Sequence, residues 1–69
     1  MINIQDIIPF MKKGWVAMDR NKQWWFFEIK PKLTRNVWLS NGEENYLNEV
    51  FDIAPADDWK KSLIKVGGK

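Results

Sequence analysis

Residues 23–30 read Gln-Trp-Trp-Phe-Phe-Glu-Ile-Lys, and the rest of the chain is organised around this aromatic run. Four consecutive rings followed by alternating charged and apolar residues favour a β-strand, because aromatic and β-branched side chains pack well on a pleated surface. Alternation along a strand sends two of the four rings to each face of its sheet. A strand that is apolar on both faces is typical of the centre of a sheet. We therefore predict that the run is a central strand.

Turn-forming residues on both sides of this run predict a three-stranded antiparallel β-meander. Asn21 favours a left-handed turn conformation, and Pro31 cannot donate a hydrogen bond to a strand ladder. The predicted order is a strand at 14–20, a tight turn at 20–22, the aromatic strand ending at Lys30-Pro31, a loop at 32–35 and a short strand at 36–40.

A short helix is predicted before the meander. Apolar residues recur there at helical spacing, and Asn3 or Asp6 is placed to cap the first turn. Proline is tolerated only in a first helical turn, so Pro9 limits the helix to residues 6–12, with Gly14 as its terminator.

The C-terminal third of the chain allows two interpretations. Residues 57–66 run from acids to lysines and are followed by Gly67-Gly68, the polarity of a short helix, although the apolar residues at 63–66 also suit an edge strand. Residues 46–53 fit either amphipathic turns or a strand. We favour the helix, which predicts one α+β domain over residues 1–69 with a short helix at each end.

Two sheet faces follow if Met18 pairs with Trp24 and Leu39 with Phe27. A slip of one residue would exchange the two faces. The first face is wholly apolar and is the predicted core, with Trp15, Ala17, Trp25, Phe27, Ile29, Val37 and Leu39. The second is apolar in its middle and polar at its margin, which predicts an interaction surface, with Val16, Met18, Trp24, Phe26, Glu28, Trp38 and Ser40.

Charge is unevenly distributed along a chain whose net charge is only +2. Residues 10–35 hold seven basic and two acidic groups, residues 36–58 hold six acids and no base, and residues 59–69 hold four lysines. Segments of opposite charge attract one another within a fold, and they also provide charged faces for a partner. Both interpretations stay open from the sequence.

The side-chain inventory argues against an enzyme. The chain has no His and no Cys, so we expect no Cys or His metal site, no disulfide, no cofactor and no catalytic residue. The acid pairs Glu43-Glu44 and Asp57-Asp58 are more typical of solvated or capping groups than of a Mg²⁺ site. The absence of both a signal peptide and an apolar run of roughly 20 residues predicts a soluble cytoplasmic protein without a membrane partner.

A non-enzymatic protein-interaction domain is the function that this composition favours, because aromatic and Arg side chains dominate binding hot spots. Association into a homodimer through the same face is a further outcome. The alternative is a nucleic-acid-binding module in which an aromatic sheet face with a basic rim stacks bases. The predicted partner-binding residues are Met18, Lys22, Trp24, Phe26, Arg35 and Trp38.

Three short motifs carry a resemblance to a known group of proteins. They are Trp15-Val16-Ala17-Met18-Asp19, Lys30-Pro31 at the end of the aromatic strand, and Asp58-Trp59-Lys60-Lys61-Ser62-Leu63-Ile64. In these motifs the chain resembles small uncharacterised proteins of bacteriophages, prophages and gut bacteria. The resemblance implies a phage or mobile-element accessory protein that works in the host cytoplasm by binding a host or phage protein, and it supplies no catalytic residue.

Overall fold

The aromatic run lies inside a four-stranded antiparallel sheet in the computed structural model, which describes residues 1–67. The strands are β1 (Gly14–Met18), β2 (Trp24–Phe27), β3 (Lys32–Leu33), β4 (Trp38–Leu39), β5 (Glu44–Tyr46) and β6 (Ile64–Val66). The large sheet has the order β5-β2-β1-β6, and β3 and β4 form a separate hairpin. The prediction of a small antiparallel α+β fold is confirmed, whereas the three-stranded meander is wrong.

The first hairpin has the predicted register. Met18 pairs with Trp24 and Trp15 pairs with Phe27. The turn differs in one detail, because the positive φ of 70° belongs to Lys22 and not to Asn21. Asn21 instead accepts a hydrogen bond from the Gln23 amide through its side chain.

The predicted third strand does not pair with β2. Thr34 and Val37 close a tight local turn, in which the Thr34 amide donates to the Val37 carbonyl (2.9 Å) and the Thr34 hydroxyl bonds the same residue. The segment predicted as a loop at 32–35 therefore starts a hairpin with β4, which leaves the edge of β2 free. β5 takes that edge, with Glu44 opposite Phe27.

The N-terminal helix is shorter and earlier than predicted. It comprises α1 (Ile4–Ile7) and one 3-10 turn (Ile8–Phe10), and the Asn3 side chain caps it by accepting from the Gln5 amide (2.9 Å). The predicted end at residue 12 with a glycine terminator is wrong, because Gly14 is buried as the first residue of β1.

The edge-strand alternative holds for residues 64–66, and the favoured C-terminal α-helix over residues 57–66 is wrong. Only a 3-10 turn (Trp59–Lys61) is helical, and β6 follows it along the edge of β1. Ser62 lies between the 3-10 turn and β6. Its hydroxyl accepts a hydrogen bond from the Met18 amide (2.8 Å) and lies 2.7 Å from the Trp59 carbonyl. Gly68, the second of the predicted terminating glycines, lies outside the described residues.

The larger core lies on the sheet face that the sequence assigned to interaction. We call it the helix face, because Ile4 of α1 packs on it. Its buried side chains are Ile4, Val16, Met18, Trp24, Phe26, Leu47, Ile53 and Val66. The opposite face, which we call the hairpin face, buries a smaller cluster of Ala17, Phe27 and Trp38.

Three residues correct the predicted faces. Trp38 packs with Phe27 on the hairpin face, because β4 folds over the sheet and does not extend it. Ile29 was predicted as core and is exposed, because β2 ends at Phe27. Leu39 was also predicted as core and is exposed, because it pairs with Lys32 in the separate hairpin and not with Phe27. Within residues 1–67 no helix has the length and apolar character needed to cross a bilayer.

Candidate interaction site

The aromatic residues predicted to form an open patch are covered. Trp24 is 1% exposed and Phe26 4%, and Met18 and Trp38 are also buried. The chain covers the first three with α1 and with the segment after β5, so the prediction of an exposed aromatic platform is wrong. Lys22 is exposed in the turn between β1 and β2.

Hydrogen bonds fix two of these indoles inside the fold. Trp24 Nε1 donates to the Ala54 carbonyl (3.1 Å), and Trp38 Nε1 donates to the Trp59 carbonyl (3.1 Å). A buried indole usually finds such an acceptor for its single N–H. Both residues therefore act first as structural members of the two clusters.

An apolar groove opens at the margin of the helix face. It has a volume of about 480 Å³, within the range of ligand-binding pockets. Phe10 lies at this groove with 87% of its surface exposed, although Ile4, Ile7 and Ile8 of the same helical segment pack inward. The groove is lined by Ile7, Phe10, Met11, Lys12, Phe26, Asn45, Leu47 and Phe51. A contiguous apolar surface of this kind, rimmed by polar groups, is typical of an interaction site.

An ion pair lies at the polar rim of the groove. Lys12 Nζ donates to Glu28 Oε1 at 2.9 Å and lies 5.7 Å from the centre of the Phe26 ring. The hydrogen bond to Glu28 and the charge of its carboxylate raise the pKa of Lys12, and the same contact lowers the pKa of Glu28. Both groups therefore keep their charges at neutral pH, and neither of them is buried in the groove.

One edge of the sheet adjoins the groove and is open. The Leu47 amide donates to the Trp24 carbonyl (3.0 Å), and the Glu28 amide donates to the Glu43 carbonyl (3.1 Å). Backbone groups of an antiparallel strand alternate in direction, so those of Glu44 and Tyr46 point away from β2. β5 is the last strand on this side of the sheet.

The surroundings of this edge are acidic. Residues 43–52 contain four acids and no base. Among residues 1–67 there is one salt bridge, between Lys12 and Glu28. Both of these residues belong to the basic segment 10–35 and not to the acidic segment beside β5. Within residues 1–67, the acidic side chains beside β5 thus form no salt bridge with a lysine or an arginine, although the charge of Glu43 adds to that of Glu28 in raising the pKa of Lys12.

Neither part of this site was predicted from the sequence. Glu44, Asn45 and Tyr46 lack the apolar alternation that predicts a strand, and all three are exposed. A weak signal existed for Phe10, which falls outside the helical spacing of the apolar residues around it. No group of three or more His, Cys, Asp or Glu side chains suited to a metal ion occurs within residues 1–67.

Comparisons with known proteins add no relative. No protein-family model, curated protein or solved structure matches the chain. A function for this chain is therefore inferred from the groove, the strand edge and the charges around them.

Proposed function

We propose that this protein is a non-enzymatic interaction domain that binds an extended segment of a partner protein along β5. The observation that carries the proposal is the open edge of β5 directly beside an apolar groove that contains the exposed Phe10 ring. Addition of a strand to an exposed sheet edge is a recurring mode of peptide recognition, in which main-chain hydrogen bonds give affinity and pockets for alternate side chains give specificity.

The register of β5 determines how the added strand lies. Its backbone would bond the outward groups of Glu44 and Tyr46. The residue opposite Asn45 would then place its side chain on the helix face, where Asn45 already lines the groove. Side chains two positions away would lie on the same face. The strand edge and the groove thus act on one ligand.

The chemistry of the site selects the partner. An apolar residue at alternate positions fills the groove, and basic residues between them meet the acids of residues 43–52. A second copy of this chain would bring a second acidic β5 to the same edge, and like charges directly opposite one another destabilise a strand pair. We therefore propose a different protein as the partner, and its origin in a host or phage follows the motif resemblance alone.

Binding of designed peptides tests this proposal. The first peptide alternates Lys and Val over seven residues, and the second replaces each Lys by Glu. We expect the Lys-Val peptide to bind and to shift the backbone amide resonances of Glu44 and Tyr46 in NMR spectra, whereas the Glu-Val peptide does not bind. Sedimentation of the free protein checks for self-association in the same sample.

Two substitutions separate the groove from the edge. Phe10→Ser should reduce the binding free energy of the Lys-Val peptide by more than about 1 kcal/mol, the threshold usual for an interface anchor. It should have little effect on folding, because the ring is exposed. Glu44→Pro removes an outward amide without breaking a bond to β2, so it should abolish strand addition.

Leu39→Ser is the matched control, since Leu39 is exposed on the β3–β4 hairpin and lies outside the groove. Peptide binding that survives both Phe10→Ser and Glu44→Pro would contradict the proposal. A dimer that forms through β5 would replace the partner protein by a second copy.

A further inference from the structure

A second cavity, of about 380 Å³, has a basic lining. Arg20 comes from the turn after β1, Arg35 from the turn between β3 and β4, and Trp59 and Lys60 from the second 3-10 turn. These four residues line the cavity without any acid. The tertiary structure thus gathers three cations around one indole.

The cations of this cavity are not neutralised by carboxylates of the described chain, residues 1–67, where Lys12 and Glu28 form the ion pair. Arg20 Nη1 donates to Asn36 Oδ1 at 3.0 Å, which orients the guanidinium and leaves its charge unpaired. The three side chains therefore keep a concentrated positive charge.

The acids adjacent in sequence to these residues accept hydrogen bonds from backbone amides. Asp19 is buried and accepts the Trp38 amide at 2.8 Å. Asp58 caps the 3-10 turn by accepting the Lys60 amide at 3.0 Å. Neither of them lines the cavity.

Trp59 is held firmly beside these cations. Its carbonyl accepts Trp38 Nε1 (3.1 Å) and lies 2.7 Å from the Ser62 hydroxyl, while its ring packs partly against both buried clusters. The indole is only half-buried, so part of it borders the cavity. A fixed, partly exposed indole is a surface on which a planar ring can stack.

We propose that this cavity binds a nucleotide, with the base on Trp59 and the phosphate among Arg20, Arg35 and Lys60. A guanidinium group often donates two parallel hydrogen bonds to phosphate oxygens, and bases stack on aromatic side chains irrespective of their identity. The volume suits one small molecule. A free nucleotide and a nucleotide within a single strand share this chemistry, and this site is separate from the β5 edge and its peptide.

Titration of the ¹⁵N-labelled protein followed by NMR tests the site. The probes are 5′-AMP, adenosine, inorganic phosphate and a single-stranded pentanucleotide of deoxyadenosine. We expect 5′-AMP to shift the Trp59 indole N–H and the Arg35 amide, and to bind about tenfold more tightly than adenosine or phosphate alone, which corresponds to about 1.4 kcal/mol. Tighter binding of the pentanucleotide would assign the site to single strands. In that case a plot of the logarithm of affinity against the logarithm of salt concentration should have a slope of about −0.7 per phosphate contacted.

Variants tie the binding to this cavity. Arg35→Ala and Lys60→Ala should each lower the affinity for 5′-AMP about tenfold, because each removes one charged contact to phosphate. Lys13→Ala is the control, since it removes an exposed charge that does not line the cavity. An equal loss in Lys13→Ala, phosphate binding as tight as 5′-AMP binding, or unmoved Trp59 resonances at millimolar 5′-AMP would each overturn the proposal.

Discussion

The two faces of the sheet carry similar aromatic residues and have different fates. The helix face is covered by α1 and by the segment after β5, and it buries eight apolar side chains. The hairpin face buries three, while Trp15, Trp25 and Trp59 only partly join them. Two adjacent strands therefore produce both a closed core and a tryptophan-rich surface, and the difference lies in what the rest of the chain brings to each face.

Polar groups and cations complete the hairpin face. The ring of Trp15 lies 5.3 Å from Lys30 Nζ and 5.9 Å from Lys65 Nζ, so two cations border one indole. The Trp25 and Tyr46 rings lie 5.1 Å apart. Such contacts stabilise aromatic groups that stay partly in water. The hairpin face thus combines structural packing with an accessible surface, which the helix face offers only at its groove.

Removing one ring from each face gives the largest expected effects. Trp24 and Phe27 are each 1% exposed, and emptying a buried aromatic site costs about 3–5 kcal/mol. We expect Trp24→Ala to cost more than Phe27→Ala, because it also leaves the Ala54 carbonyl without its donor. Urea denaturation followed by circular dichroism measures both.

Losses of this size approach the whole stability of a small domain, which is roughly 0.05–0.15 kcal/mol per residue. Trp24→Phe and Phe27→Leu therefore provide milder versions of the same comparison. If the Phe27 variants proved the less stable in both pairs, the hairpin face would be the main core.

Gly14 tests how closely the start of β1 packs against Phe26 and Phe27 of the neighbouring strand. A Cβ at this position would lie 2.7 Å from the Phe27 carbonyl and 2.8 Å from Cε1 of Phe26. Overpacking of this kind typically costs about 1–3 kcal/mol, so Gly14→Ala should lower the urea midpoint. Gly67→Ala is the control, since nothing lies within 4 Å of its added Cβ. Equal midpoints for the two variants would mean that β1 shifts freely.

Asp19 tests the polar side of the hairpin face. Burial raises the pKa of its carboxyl above the ordinary 3.8, and the hydrogen bond from the Trp38 amide partly opposes that change. The folded state therefore holds the proton more tightly than the unfolded state. Through this group, stability falls as pH rises from below 3.8 through the raised pKa, and the loss is complete above it.

Asp19→Asn should remove this pH dependence and keep an acceptor for Trp38. Its stability relative to the natural protein should rise between about pH 3 and pH 7, as measured by urea midpoints. Asp19→Ala should cost about 1 kcal/mol, because the Trp38 amide loses its acceptor. A difference between Asp19→Asn and the natural protein that stayed constant with pH would show that the carboxyl is hydrated in the fold.

Local patterns predicted the hairpin of β1 and β2 correctly because its information is local. Asn21 and its neighbours form a tight turn, and the turn sets the register of the two strands that it joins. The same patterns failed for the third strand. The turn at Thr34 pairs β4 with the adjacent β3, so that β2 pairs with β5, a segment without a strand pattern in its sequence. For the candidate sites, Lys22 and Arg35 were predicted as exposed partner residues, while Phe10 and the β5 edge were not foreseen.

The sequence by itself determined that this chain forms an antiparallel sheet around an aromatic strand, since alternation, turn residues and Pro31 act between neighbours. Only the tertiary structure decided which face became the main core. That choice depends on where α1, the β3–β4 hairpin and the segment after β5 come to rest, and it is set by burial between residues far apart in the chain. The same long-range packing gathers Arg20, Arg35 and Lys60 around Trp59 and leaves β5 open beside Phe10. Charges and rings distant in sequence become a site only when the fold brings them together.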